Sequence, residues 1–373
     1  MNARSLSSLT LPTLVLLAAC SNSGGEDGGF ESPGATARVY VANGASNNVS
    51  GYSVNPTTGA LSVITGSPFS GVTNPTAIAV SPNSALVYVV NQGGSVAAFT
   101  INSATGVLTA AAGSPFSAGT NPRGVVVSPN GQFLYTANGG GDISAFTVSA
   151  ATGGLTAMSG SPFGAGNSPA GIVVSPNGLF LYVVNENSND ISAYTINGAT
   201  GALTVVGGSP FLTGGAAPTG VGIAPNGEFL FVPNGGSNTV SVFSVNSTTG
   251  ALTTVAGSPF AAGTDLRGGP VVSPNGSFLY VVNGSNNNVI GFTVNGSTGA
   301  LTAITGSPFA AGSIPIGVTI DSSGLFLYAA NSGSGTVSAY TISTGTGALT
   351  PLNGALGNPF GAGTGPAGIA TPR

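Results

Sequence analysis

The sequence predicts an all-β protein, a seven-bladed β-propeller of four-stranded antiparallel blades, and three observations carry the prediction. First, the tripeptide Ser-Pro-Phe or a close variant returns seven times, with its prolines at Pro68, Pro115, Pro162, Pro210, Pro259, Pro308 and Pro359. Such a spacing, 47 to 51 residues, marks a repeat architecture. Second, each unit holds four short runs rich in Val, Ile, Leu, Tyr and Phe, separated by Gly, Asn, Ser and Pro. That is the pattern of strands and turns, and four antiparallel strands in a unit of this length make one propeller blade. Third, the outermost strand-like runs are complementary. Val39-Tyr-Val-Ala-Asn43 matches a second strand with no first strand before it, and Pro366-Ala-Gly-Ile-Ala-Thr-Pro372 matches a first strand with no blade after it. The C-terminal strand is therefore expected to complete the N-terminal blade and close the ring, which protects sheet edges that would otherwise template aggregation.

The unit is plainest in its fourth copy. A first strand begins at Pro169 and leads through Ser175-Pro-Asn-Gly178 into Leu-Phe-Leu-Tyr-Val-Val-Asn185. Proline presets the first corner of that turn, while Asn and Gly tolerate positive φ. A third strand follows at Asp190-Ile-Ser-Ala-Tyr-Thr-Ile196, and Thr200-Gly-Ala-Leu203 turns the chain into the fourth. Second strands carry Tyr40, Tyr88, Tyr135, Tyr182, Phe231, Tyr280 and Tyr328, and the third strands and Ser-Pro-Phe motifs add a ring each. Aromatic rings recurring identically in every unit are read as packing between blades rather than as a stacking platform for bases or sugars. The Asn that ends each second strand is read in the same way, as a strand-end residue.

Composition narrows the chemistry. Charged residues make up 4% of the 373-residue chain, with no His and a formal charge of −4, so a basic nucleic-acid surface is not expected. Lacking His and Lys, the chain lacks the usual nucleophile–base pairs and the His-based metal sites, and no cofactor or metal is expected. Residues 1–19 read as a signal peptide, 20–36 as a tether, and 37–373 as the propeller. Leu17-Ala-Ala-Cys20 resembles the bacterial lipobox and holds the one cysteine. That resemblance implies lipidation at Cys20 and a membrane-anchored envelope protein, and Ser21 points to the outer membrane. A monomer is expected.

Few residues fall outside the repeat. Arg123, Arg267 and Asp265 lie in the loops entering first strands, and Asp142, Glu186 and Asp190 in the loops joining second to third strands. In a propeller both sets share the face around the channel mouth. Arg123 and Arg267 hold the same repeat position three blades apart, where two guanidinium groups suit an anion such as a carboxylate or phosphate. The competing reading pairs each with a nearby acid such as Asp265. Asp142, Glu186 and Asp190 offer hard oxygen ligands of the kind Ca²⁺ takes. Asp142 and Asp190, however, align with Asn, Ser and Thr elsewhere, which make local turn hydrogen bonds. Glu228 and Asp321 fall on the opposite face.

The second-strand pattern Tyr-Val-x-Asn (Tyr40–Asn43, Tyr88–Asn91, Tyr182–Asn185, Tyr280–Asn283) resembles the YVTN-repeat propellers. With Thr-Gly-x-Leu following, the chain is also similar to the 6-phosphogluconolactonase-like seven-bladed propellers, over essentially all of 37–373. The resemblance implies the propeller fold and, for lactonase members, work in or near the channel with Arg, Glu and often His. Two functions are carried forward. The leading expectation is a non-catalytic module binding an envelope protein or glycan through a neutral Asn/Ser/Thr loop surface. The alternative is a lactone hydrolase, with Arg123 and Arg267 orienting a small anionic lactone and a carboxylate activating water.

Overall fold

The computed structural model describes residues 37–352 and 357–372, so the expected signal peptide, Cys20 and tether lie outside the described residues. Seven antiparallel sheets form, six of them running in chain order from a first to a fourth strand. Blade 4 shows the plan, with strands Pro169–Val174, Phe180–Asn185, Asp190–Ile196 and Leu203–Val205. Blade 1 is the composite expected: Pro366–Ala370 lies beside Arg38–Asn43, pairing Ala370 with Tyr40 and Pro366 with Asn43. The first strands of neighbouring blades touch one another and form the inner ring.

The second strands are the floor of the core. Each is buried along its whole length, in the described residues of all seven blades, because both faces meet a neighbouring blade. Glycine allows the inner strands to approach closely. A Cβ on Gly220 would stand 2.3 Å from the Gly268 carbonyl oxygen, and one on Gly171 would stand 2.6 Å from the Gly220 Cα. Any side chain there forces neighbouring blades apart.

The repeated motifs turn out to be joints. The second-strand tyrosine donates its hydroxyl to the glycine carbonyl of the next blade's Thr-Gly-x-Leu turn: Tyr40 to Gly106, Tyr88 to Gly153, Tyr135 to Gly201 and Tyr182 to Gly250. Tyr280 reaches Gly347, and Tyr328 reaches Gly59 across the closure. The serine of Ser-Pro-Phe, replaced by Asn358 in the seventh copy, accepts a third-strand N–H, as Ser209 does from Ala193 at 2.9 Å, and the bond into proline is cis in every copy. In blades 2 to 7 the phenylalanine then opens a two-residue fifth strand against the third, an element too short for the sequence pattern to reveal, while Phe69 of blade 1 makes a single bridge to Val49. At the Ser-Pro-Asn-Gly turn the serine hydroxyl caps the second strand, with Ser175 accepting from Phe180 N–H at 2.9 Å.

Blade 5 lacks one joint, because Phe231 stands where the other six blades carry tyrosine. Phe231→Tyr is expected to add a hydrogen bond to the Gly299 carbonyl and to raise stability by about 1 kcal/mol. Denaturant titration checks this, and a lowered midpoint at unchanged slope would count against the joint.

Candidate functional site

The loops that enter the inner strands and those that follow the second strands are bonded into one rim. In each of blades 3, 4 and 6 the first residue past the strand-end Asn donates its N–H to an entering-loop carbonyl: Gly139 to Asn121, Glu186 to Ser168 and Gly284 to Asp265. The strand-end asparagines hold the other side of the rim. Asn185 Nδ2 donates to Asp190 Oδ1 at 2.6 Å and to Ser192 at 2.9 Å, and Asn138 Nδ2 makes the matching pair with Asp142 and Ser144. Asp142 and Asp190 thus sit in local turn hydrogen bonds, as their alignment with Asn, Ser and Thr suggests.

The entering residue of each blade adopts positive φ: Asn74, Asn121, Ser168, Ala217, Asp265 and Ile314 lie between 46° and 59°, with Gly365 at 62°. For Ser168, Ala217 and above all β-branched Ile314 this is an unfavourable conformation. It costs on the order of 1–3 kcal/mol at such a residue and tends to collect at ligand-facing loops. The next residues carry a β-bulge, seen as a register shift at the head of the inner strands of blades 1, 2, 3, 4, 6 and 7. A bulge re-aims the side chain beside it. In blades 3 and 6 the residue so placed is Arg123 and Arg267.

Two arginine–carboxylate pairs result. Arg123 Nη1 reaches across to blade 4, where it bonds Glu186 Oε2 and the Ser168 hydroxyl, the latter at 3.1 Å. Arg267 folds back on its own loop, with Nε 3.0 Å and Nη2 2.9 Å from Asp265 Oδ2, and Ser285 donates to the same oxygen at 2.7 Å. Burial works against ionisation of Asp265. Hydrogen bonds from Arg267 and Ser285 and the Arg267 charge outweigh it, holding the carboxyl below its ordinary value. A lowered folded-state value means this contribution to stability is present above the ordinary carboxylate range and is lost as pH falls through the folded value. Blade 6 differs further, because its inner strand Leu266–Val272 is one residue longer than Pro122–Val127 and slips register between Arg267 and Val271.

All six sequence-singled residues therefore lie on one rim. The structure joins Arg123 to Glu186 and Arg267 to Asp265, while Asp142 and Asp190 bond their own strand ends. Among the described residues no three acidic, His or Cys side chains converge on a metal position. Sequence reasoning passed over Ser168 and Ser285, both ordinary loop serines whose partners become visible only in three dimensions. On the opposite face a hollow of about 620 Å³ opens beside Glu228, but that carboxylate, its one ionisable lining group, is engaged by Asn226 at 2.7 Å.

The fold and rim define a seven-bladed propeller with ion-paired arginines at one mouth. The chain belongs to the family described as Lactonase, 7-bladed beta-propeller, which matches residues 30–162, 155–264 and 261–360. Among solved structures it resembles a candidate 6-phosphogluconolactonase from Bacteroides uniformis, with TM-score 0.75 and 20% identity over 90% of this chain and 99% of that one. The periplasmic gluconolactonase of Pseudomonas aeruginosa is similar at TM-score 0.73 and 18% identity, over 90% and 99% of the two chains. At these identities the likeness speaks to the fold. No curated protein matches the chain. The family bears out the lactonase-like resemblance and favours the lactone-hydrolase alternative over the non-catalytic module.

Proposed function

We propose that the protein is a lactone hydrolase working at the rim between blades 3 and 4. The observation that carries the reading is the Arg123–Glu186–Ser168 group, a cation, a carboxylate and a hydroxyl drawn together from two blades on a bulged and strained rim. Family membership supports it. Hydrolysis needs a water oxygen to bond the lactone carbonyl carbon, a proton to leave that water, and the ring C–O bond to break. Glu186 accepts the proton and returns it to the departing ring oxygen. Arg123 faces the negative charge that develops on the carbonyl oxygen, in the manner of an oxyanion clamp. Ser168, whose hydroxyl oxygen accepts a hydrogen bond from Nη1 at 3.1 Å, fixes the guanidinium orientation.

The test is hydrolysis of a panel of five- and six-membered sugar lactones by the full chain, Arg123→Ala and Glu186→Gln. Wild-type turnover is expected above the spontaneous rate, falling by about 10²–10³-fold in each variant with the β-sheet spectrum unchanged. If no lactone in the panel is turned over, the hydrolase reading fails and the binding module replaces it.

A further inference from the structure

The charges on the rim speak to the substrate. The described ionisable residues of this face are Arg123 and Arg267 on one side and Asp142, Glu186, Asp190 and Asp265 on the other. Two guanidiniums thus meet four carboxylates. Both guanidiniums are already matched, each to its own carboxylate. Asp142 and Asp190 are bonded by the neutral amides of Asn138 and Asn185, so nothing in those contacts cancels their charge. They belong to blades 3 and 4, the two blades that supply Arg123 and Glu186. Around the proposed site there are therefore three carboxylates to one guanidinium.

The rest of that rim is uncharged and rich in hydrogen-bonding groups. Gln92, Asn121, Ser168 and Ser188 offer amides and hydroxyls on the entering loops and second-to-third loops of blades 2 to 4. This is a surface for hydroxyl groups, and its potential disfavours an approaching anion.

We infer that the substrate is an uncharged, polyhydroxylated sugar lactone, and that the rim discriminates against lactones carrying phosphate or carboxylate. The inference rests on the hydrolase reading and replaces the anionic lactone expected from the two arginines alone. It makes Asp142 and Asp190 specificity residues acting at a distance on the charge of the ligand.

Glucono-1,5-lactone and 6-phosphoglucono-1,5-lactone differ by the phosphate alone and serve as probes, with the full chain at low and at high salt. The neutral lactone is expected to have the higher kcat/KM by about tenfold or more at low salt, with the gap narrowing as salt screens the rim. Asp142→Asn/Asp190→Asn replaces both with a residue the repeat itself uses at this position in blades 1 and 6. It is expected to shift the ratio about tenfold toward the phosphorylated lactone. A preference of the wild-type protein for the phosphorylated lactone overturns the inference and leaves lactone hydrolysis standing. Turnover of neither probe, nor of any other lactone, overturns both.

Discussion

Removing Pro366–Arg373 is expected to abolish the native fold. The strand Pro366–Ala370 is the inner strand of blade 1, and without it Arg38–Asn43 becomes a bare edge. That edge is among the most deeply buried in the molecule, with Val39, Tyr40, Val41 and Ala42 wholly inaccessible. Ile369 leaves the core shared by blades 7 and 1, and Gly44 loses the Gly365-loop geometry that receives its N–H at 2.7 Å. Thr371 also leaves, with its hydroxyl 2.9 Å from Thr319 Oγ1 and bonded to the Ile320 carbonyl. Full burial of an isoleucine is worth about 1.5–3 kcal/mol, of which the partly buried Ile369 supplies a share. Each buried backbone group left unpaired costs about 1–3 kcal/mol more. The sum rivals the whole net stability of a typical fold, about 5–15 kcal/mol. The truncated chain should be recovered as aggregate, and a synthetic 366–373 peptide supplied during refolding should restore part of the soluble fraction. A soluble truncated monomer with an unchanged melting temperature would show that ring closure is dispensable.

Alkaline pH is expected to unfold the protein sharply, between about pH 10.5 and 11.5. All nine tyrosines have their hydroxyl pKa raised, with burial the leading cause in each, and Tyr40 and Tyr340 are pushed up to about 12. The folded value lies above the unfolded one, so the stabilisation is complete below about pH 10 and drains away as pH rises. At pH 11 each strongly shifted tyrosine costs the fold on the order of 1 kcal/mol, and seven of them together several kcal/mol. That again is comparable with the net stability. Six of the hydroxyls are the donors that join second strands to the next blade, so ionisation and loss of the joints are one event. Tyrosinate absorbance and the loss of sheet ellipticity should rise together with pH. Gradual ionisation on a protein that keeps its sheet signal would sink the argument.

The ring was legible in the sequence because every blade repeats the same strand and turn chemistry, and because Val39–Asn43 and Pro366–Pro372 are two halves of one unit. The side of the ring on which Arg123, Glu186 and Asp265 lie was legible too, since repeat position fixes whether a loop is at the mouth. Their partners were less so. Asp265 is two residues from Arg267 and was a candidate from the outset. Arg123 and Glu186 are 63 residues apart, and their meeting depends on a bulge and a positive φ at Ser168 that no residue type announces. The tyrosine joints were hidden for another reason. Their acceptor is a backbone carbonyl, which every residue has, so the pattern showed a ring to be buried and not a hydroxyl to be bonded. The fifth strand, at two residues, gives periodicity nothing to act on.

The joints also bear on how such a ring changes size. Each of the six second-strand tyrosines points forward into the next copy's turn, and the closure from Tyr328 to Gly59 uses the same parts as the others. The encoded copy is thus offset from the sheet it helps to build, and carries the forward half of one joint and the receiving half of another. Insertion or loss of a whole copy, at any point in the gene, leaves every donor facing an acceptor. A change in copy number would therefore leave the chemistry of the seams intact, and the curvature between sheets would set which rings close.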